Sequence, residues 1–250
     1  MFSRAAQSEL PVVLLIDDDL VSREVTATLL TMSGYTVHTA ASGSASLEML
    51  ASGICRPGVI LMDAQMPGLS GKELIAELRA YSQTHIYVIS GSKPLPELAA
   101  AADGFLIKPF TSENLHKLLG GHNAQPDLTM LDPNDPIVSK EVLAQFRRLM
   151  PERAVREIYS AVVADLSRRI EALGAAIALG DAAEVHRIGH AIKGGCGMAG
   201  ALQAAHLGAL LESAAVGSED NQLDNSTILL HDLRTAAQGL ERMLEAELSA

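Results

Sequence analysis

At 250 residues with 48% apolar content, the chain can bury sizeable cores, and its length fits one large or two ordinary domains. Its 30 acids against 19 bases give a formal charge of -11, and both halves share the sign: residues 1–122 hold 12 acids and 8 bases, residues 123–250 hold 18 and 11. That balance argues against a general affinity for nucleic acid or an anionic membrane, and Cys55 and Cys196, far apart and without metal-ligand spacing, argue against a disulfide framework or a structural zinc site.

The N-terminal MFSRAAQSELPVVLLIDDD has a short apolar run ending in three aspartates. It is neither a signal peptide nor long enough to span a bilayer, so a cytoplasmic protein without a membrane partner is expected. From residue 12 to about 120, short β-rich runs alternate with helical patterns, as in a parallel sheet covered on both faces. The predicted strands are VVLLI (12–16), YTVHT (35–39), GVILM (58–62), HIYVI (85–89) and GFLI (104–107). Helices fit between them, for example LVSREVTATLLTM closed by Gly34, and a last one starts near Thr111 or Ser112, either of which can cap it. Residues 121–136 collect Gly, Pro, Asn and Asp without periodicity and read as a linker. Beyond it the spacing of Ala and Leu predicts helices at 138–149, 152–179, 182–198, 201–215 and 222–248, broken at Pro151, Gly180, Gly200 and GSEDN. The expected architecture is an α/β doubly wound five-stranded parallel sheet over residues 1–120, then an all-α antiparallel helical bundle over 137–250.

In an open parallel sheet, ligands collect at the carboxyl ends of the strands. Asp17 and Asp18 follow the first strand, Asp63 the third, Ser90 the fourth, and Lys108 with Pro109 the fifth. Any one of these alone reads as readily as a solvated strand end, a helix cap or a turn, but their joint placement at four strand ends points to a site. Clustered carboxylates repel one another unless a hard cation sits between them, and Mg2+ bound by a few oxygens plus water meets that need. The set suits phosphoryl transfer to a carboxylate, with Asp63 as nucleophile. Mg2+ and Lys108 would neutralise the phosphoryl oxygens, and the Ser90 hydroxyl would donate to one of them.

The residues LLIDDD, VILMDAQMPGLSG, VISGS and FLIKPF resemble the response-regulator receiver domain, a flavodoxin-like fold, over residues 12–120. That resemblance implies that Asp18 and Asp63 bind Mg2+ directly, together with the backbone carbonyl of Gln65, while Asp17 acts through water. It also implies a cis Lys108–Pro109 peptide and a switch aromatic at Phe105, which reads equally well as simple core. One departure is SGSKPLPELAAAADG, shorter than the family's fourth-helix region by roughly one helical turn.

On the helix DAAEVHRIGHAIKGGCGMAGA, about 100° per residue puts Val185, Ile188, Ile192, Cys196 and Ala199 in one stripe. His190 projects from nearly the opposite side and is expected to be exposed, beside Arg187, Lys193, Gly194 and Gly197. Glycine inside a helix costs about 1 kcal/mol, so Gly194 and Gly195 make sense if something must approach the imidazole closely. His186, four residues before His190, is half of a helical zinc site, but no third ligand has matching spacing. The run from His190 to Ala201, HAIKGGCGMAGA, resembles the histidine phosphotransfer (HPt) domain, over roughly residues 137–250. By that resemblance His190 takes and gives up a phosphoryl group and Lys193 helps hold it.

Together the two resemblances imply a two-component phosphorelay protein. Asp63 would accept a phosphoryl group from a sensor histidine kinase, and His190 would exchange phosphoryl groups with an upstream or downstream receiver domain. The 16 linker residues could reach roughly 50 Å, so exchange within one chain is allowed by length. Two other readings stay open. Asp63 phosphorylation could gate docking of the bundle to a partner without phosphotransfer through His190. Alternatively, DDDLV at 17–21 fits a haloacid-dehalogenase-like phosphatase, with Asp17 as nucleophile and Asp19 as acid/base. Nothing resembles a kinase ATP-binding lobe.

Overall fold

The computed structural model describes residues 10–81, 83–91, 96–108, 110, 112–119, 136–214 and 222–247. The expected linker, except its last residue, lies outside them, as do Pro94, Pro109, Thr111 and the GSEDN segment. Five strands, β1 (Val13–Ile16), β2 (Val37–Ala40), β3 (Val59–Asp63), β4 (His85–Ser90) and β5 (Gly104–Ile107), form one parallel sheet in the order β2-β1-β3-β4-β5. The strands run within one or two residues of the predicted bounds. β2 starts later and ends later than YTVHT because Tyr35 turns into the core after Gly34, whose φ of 92° closes the preceding helix.

Period-two alternation sorts the sheet's side chains cleanly. Val13, Leu15, Val59, Leu61, Tyr87, Ile89 and Leu106 face α1 (Leu20–Met32) and α5 (Ser112–Leu119). Leu14, Ile16, Ile60, Met62, Ile86 and Val88 face α2 (Gly43–Ala51), α3 (Gly71–Tyr81) and α4 (Pro96–Ala101). Both faces are therefore covered, which is why the strands read as continuous apolar runs. α4 has only 6 residues, in keeping with the short stretch seen in the sequence. Phe105 is half-buried against the second of these cores.

The C-terminal part comprises α6 (Lys140–Leu149), α7 (Glu152–Leu179), α8 (Ala182–Met198), α9 (Leu202–Ala214) and α10 (Gln222–Glu247). Short connections at Gly180–Asp181 and Ala199–Ala201 make α7, α8 and α9 antiparallel neighbours, and α10 packs on α7 and α9 to close the bundle. The punctuation is local chemistry. Gly180 takes φ 67° to end α7, and the Asp181 side chain accepts from the Glu184 N–H to start α8. Tyr159, fully buried, donates its hydroxyl to the Ala199 carbonyl at 2.9 Å and so ties α7 to the end of α8. Among the described residues no helix is long and apolar enough to cross a membrane.

Candidate functional site

The sheet reverses its winding between β1 and β3, and the carboxyl ends of those two strands form the crevice where such sheets take ligands. Asp17 and Asp18 leave β1 there, and Asp63 is the last residue of β3. Carboxylate oxygens of Asp17, Asp18 and Asp63 all lie within 4.8 Å of one another. Lys108, from the end of β5, places Nζ 2.9 Å from Asp17 Oδ2 and 2.9 Å from Asp63 Oδ1. Lys108 thus bridges the two carboxylates and is the cation that faces the buried Asp63 Oδ1. Asp63 Oδ2 accepts from the Gln65 N–H at 3.3 Å. Asp17 is fully committed: Oδ2 also accepts from the Ser22 hydroxyl at 2.6 Å, and Oδ1 accepts from the Asp19 N–H at 2.9 Å. Ser90, at the end of β4, is buried beside them.

Burial pushes the Asp63 carboxyl above its ordinary range, with Lys108 pulling the other way and Asp17 adding to the rise. Asp18 is raised too, first by burial and then by repulsion from Asp17 and Asp63. Burial works against the Lys108 ammonium, yet Asp63 and Asp17 hold its pKa above the usual value. Lys108 thus faces two of the three acids, while Arg187 acts on Asp18. The three carboxylates crowded at the strand ends are hard oxygen donors of the kind that fit a divalent ion such as Mg2+.

The histidine site is built by two glycines. A Cβ at Gly189 would lie 2.7 Å from the Glu212 nitrogen, and one at Gly208 would lie 2.6 Å from the Lys193 nitrogen, so α8 and α9 cross nearly backbone to backbone. That closeness brings Glu212 of α9 onto α8. Its Oε1 is 2.8 Å from His190 Nδ1, and its Oε2 accepts from Lys193 Nζ at 3.0 Å. Burial opposes the Glu212 charge, but the bonds from His190 and Lys193 bring its carboxyl down to about 2. Lys193, expected to hold a phosphoryl group, is engaged with this carboxylate.

The two sites share one cavity of about 390 Å3, lined by Asp18, Asp63, Lys108, Arg187 and His190 among others. His190 is accordingly not exposed as the helical pattern suggested; its side chain retains 16% of its accessible area. The stripe Val185, Ile188, Ile192, Cys196 and Ala199 is buried within the bundle as expected. The opposite face is covered as well, by the N-terminal domain. A Cβ at Gly195 would lie 3.0 Å from Asp19 Oδ1, one at Gly194 would lie 3.8 Å from Lys108 Cδ, and one at Gly91 would lie 3.3 Å from His190 Cε1. A helical wheel identifies the polar face but not a second domain seated on it. His186 also lines the cavity, and among the described residues the three aspartates are the sole cluster of three or more potential metal ligands.

Glu212 and Arg169 escaped the sequence reading. Arg169 of α7 pairs with Asp19 and with Asp165. The signal for Glu212 was the glycine pair at 189 and 208, legible only once two helices are known to cross there. Asp19, considered as an acid/base, instead caps α1 by accepting from the Ser22 N–H at 2.8 Å and faces Arg169. Burial pushes the Cys196 thiol up to about 12, which makes it a packing residue.

Residues 13–120 match the family described as the response regulator receiver domain, and residues 157–249 match the Hpt domain. The response regulator MprA of Mycobacterium sp. strain KMS is 30% identical over 170 residues, 62% of this chain and 73% of that protein. MprA of Mycobacterium ulcerans is 38% identical over 108 residues, and the match spans 46% of its length and 41% of this chain. The sensor histidine kinase AruS of Pseudomonas aeruginosa is 28% identical over 198 residues, 74% of this chain but 19% of that protein. Among solved structures, the chemotaxis protein CheY4 of Vibrio cholerae is 32% identical with a TM-score of 0.41, covering 45% of this chain and 98% of that one.

Proposed function

The chain belongs to the response-regulator receiver family and carries an Hpt domain, a pairing that marks a two-component phosphorelay protein, and from that premise we propose that Asp63 is its phosphoacceptor and His190 its phosphohistidine. The observation that carries this reading is the carboxylate trio with Lys108 bridging two of its members. Asp63 is the member held by Lys108 on one oxygen and by the Gln65 N–H on the other.

In this reading Asp18 and Asp63 with the Gln65 carbonyl would hold Mg2+ directly and Asp17 through water, and the ion supplies positive charge opposite the phosphoryl oxygens when bound. Lys108, kept protonated by its two acids, offers a second positive charge beside Asp63. Ser90, buried at the neighbouring strand end, would orient a phosphoryl oxygen. Glu212 fixes the imidazole by its Nδ1, so Nε2 is the nitrogen left to carry the phosphoryl group. Lys193, held by the same carboxylate, brings a positive charge to that end of α8. A sensor histidine kinase is the class of protein donor this reading expects for Asp63, and a receiver aspartate is the class of partner for His190.

The test supplies acetyl phosphate with Mg2+ to the full chain and follows label by its chemical stability. Aspartyl phosphate is lost in base, and phosphohistidine is lost in acid. Asp63→Asn should abolish the base-labile label and His190→Gln the acid-labile one; labelling unchanged in both variants would overturn the assignment.

A further inference from the structure

The cavity between the two sites is the centre of a built interface. α1 is buried over about half its circumference, with Val21, Ser22, Val25, Thr26, Leu29 and Leu30 all inside. Ser22 turns toward Asp17 at the sheet, while Val21 faces Gly195 of α8, where a Cβ would lie 3.4 Å from its own. α1 packs on both α7 and α8, and its valines belong to one continuous apolar cluster with Ile192 and Cys196. At the rim, the Arg169 guanidinium joins Asp19 of one domain to Asp165 of the other. Two glycines are the seats: hydrogen at Gly195 of α8 admits Asp19, and hydrogen at Gly91, just past β4, admits the imidazole edge.

We propose that the bundle is the receiver's own phosphotransfer partner, so that a phosphoryl group passes between Asp63 and His190 of a single chain in this docked arrangement. The inference rests on the phosphorelay reading above and adds the identity of the partner. As the Nε2 lone pair of His190 forms the N–P bond, the bond from phosphorus to the Asp63 oxygen breaks and its electron pair stays on the carboxylate. Nδ1 keeps its proton throughout, held by Glu212, so no proton crosses the cavity. The reverse step breaks N–P, leaves the pair on Nε2 and re-forms the acyl phosphate. In this arrangement Asp63 is only 4% exposed. The cavity of about 390 Å3 still admits a donor as small as acetyl phosphate.

The experiment loads the full chain with acetyl phosphate and Mg2+ and times the appearance of acid-labile label on His190. Transfer within the chain should be first order and independent of protein concentration. A mixture of Asp63→Asn chains with His190→Gln chains at micromolar concentration should be slower by on the order of 10²–10³, because tethered partners face an effective concentration near millimolar. Arg169→Glu, which sets like charges against Asp19 and Asp165, should keep the base-labile label on Asp63 and slow its passage to His190 at least tenfold. A mixture that transfers as fast as the intact chain, or a rate rising linearly with concentration, would overturn pairing within the chain while leaving the relay intact. Label that stays on Asp63 in every sample would overturn the transfer and with it the assignment of His190 as phosphohistidine, while leaving Asp63 as the acceptor.

Discussion

Asp63 takes its position from the register of a parallel sheet, whereas His190 takes its position from how closely two helices approach. The strand ends that carry Asp17, Asp63, Ser90 and Lys108 are fixed by ladder hydrogen bonds, and the acids crowded there are held against their own repulsion. On α8 nothing comparable fixes the imidazole. Its single carboxylate partner arrives from α9 because Gly189 and Gly208 have no side chains. The first site should therefore tolerate changes of charge and gain stability from some of them. The second should fail when volume is added far from the imidazole itself.

The largest expected effect tests the helix crossing. Gly208→Val puts carbon against the Lys193 nitrogen and the Gly189 carbonyl, at 2.6 and 2.9 Å for the first atom alone, and backbone on both sides cannot give way. Overpacking of this kind costs about 3 kcal/mol, well beyond the fraction of a kcal/mol that leaving glycine gains in helix propensity. Denaturant titration should show that loss. The acid-labile label should vanish while acetyl phosphate still labels Asp63. A variant of normal stability with normal His190 labelling would mean that the crossing does not set the histidine's partner.

The next effect probes the carboxylate that holds the imidazole. Glu212→Gln retains shape but removes the charge that Lys193 and His190 face, and should cost about 1 kcal/mol at neutral pH. The sign of its pH dependence follows from the depressed carboxyl. A group held down to about 2 from its ordinary 4.5 contributes fully above 4.5 and loses that contribution as pH falls through 2. The stability gap between wild type and Glu212→Gln should narrow across that window. A gap that widens on acidification would show that the carboxylate is not stabilised by its neighbours.

These outcomes also mark what could be read in the chain. β-rich runs and Gly punctuation located all five strands and five C-terminal helices, because both periodicities are local properties. Asp17, Asp18, Asp63, Ser90 and Lys108 were legible because strand ends converge in any parallel sheet. Glu212 and Arg169 were not, since each acts on a residue from another helix or domain, and the spacing of apolar residues carries no crossing distance. The exposure expected for His190 failed for the same reason: α8 is amphipathic toward its own bundle, and the cover on its polar face comes from α1 and the loop at Gly91.

The smallest effect has the opposite sign and belongs to the aspartate side. Asp18 is raised by burial and by its acidic neighbours, so its charge opposes folding once pH exceeds the ordinary carboxylate range, and the opposition disappears on acidification. Asp18→Asn without divalent ions should therefore stabilise the neutral-pH protein, by about 0.5–1 kcal/mol for a half-open carboxylate screened by solvent. Mg2+ at about ten times its dissociation constant should add about 1.4 kcal/mol to the wild type. The variant, lacking one donor of the trio, should gain far less, so that the order of melting temperatures inverts when the ion is added. Parallel melting curves in EDTA and in Mg2+ decide the matter: if both proteins respond equally, the ion is not held by these carboxylates, and the crowding at the strand ends must be balanced by Lys108 and Arg187 alone.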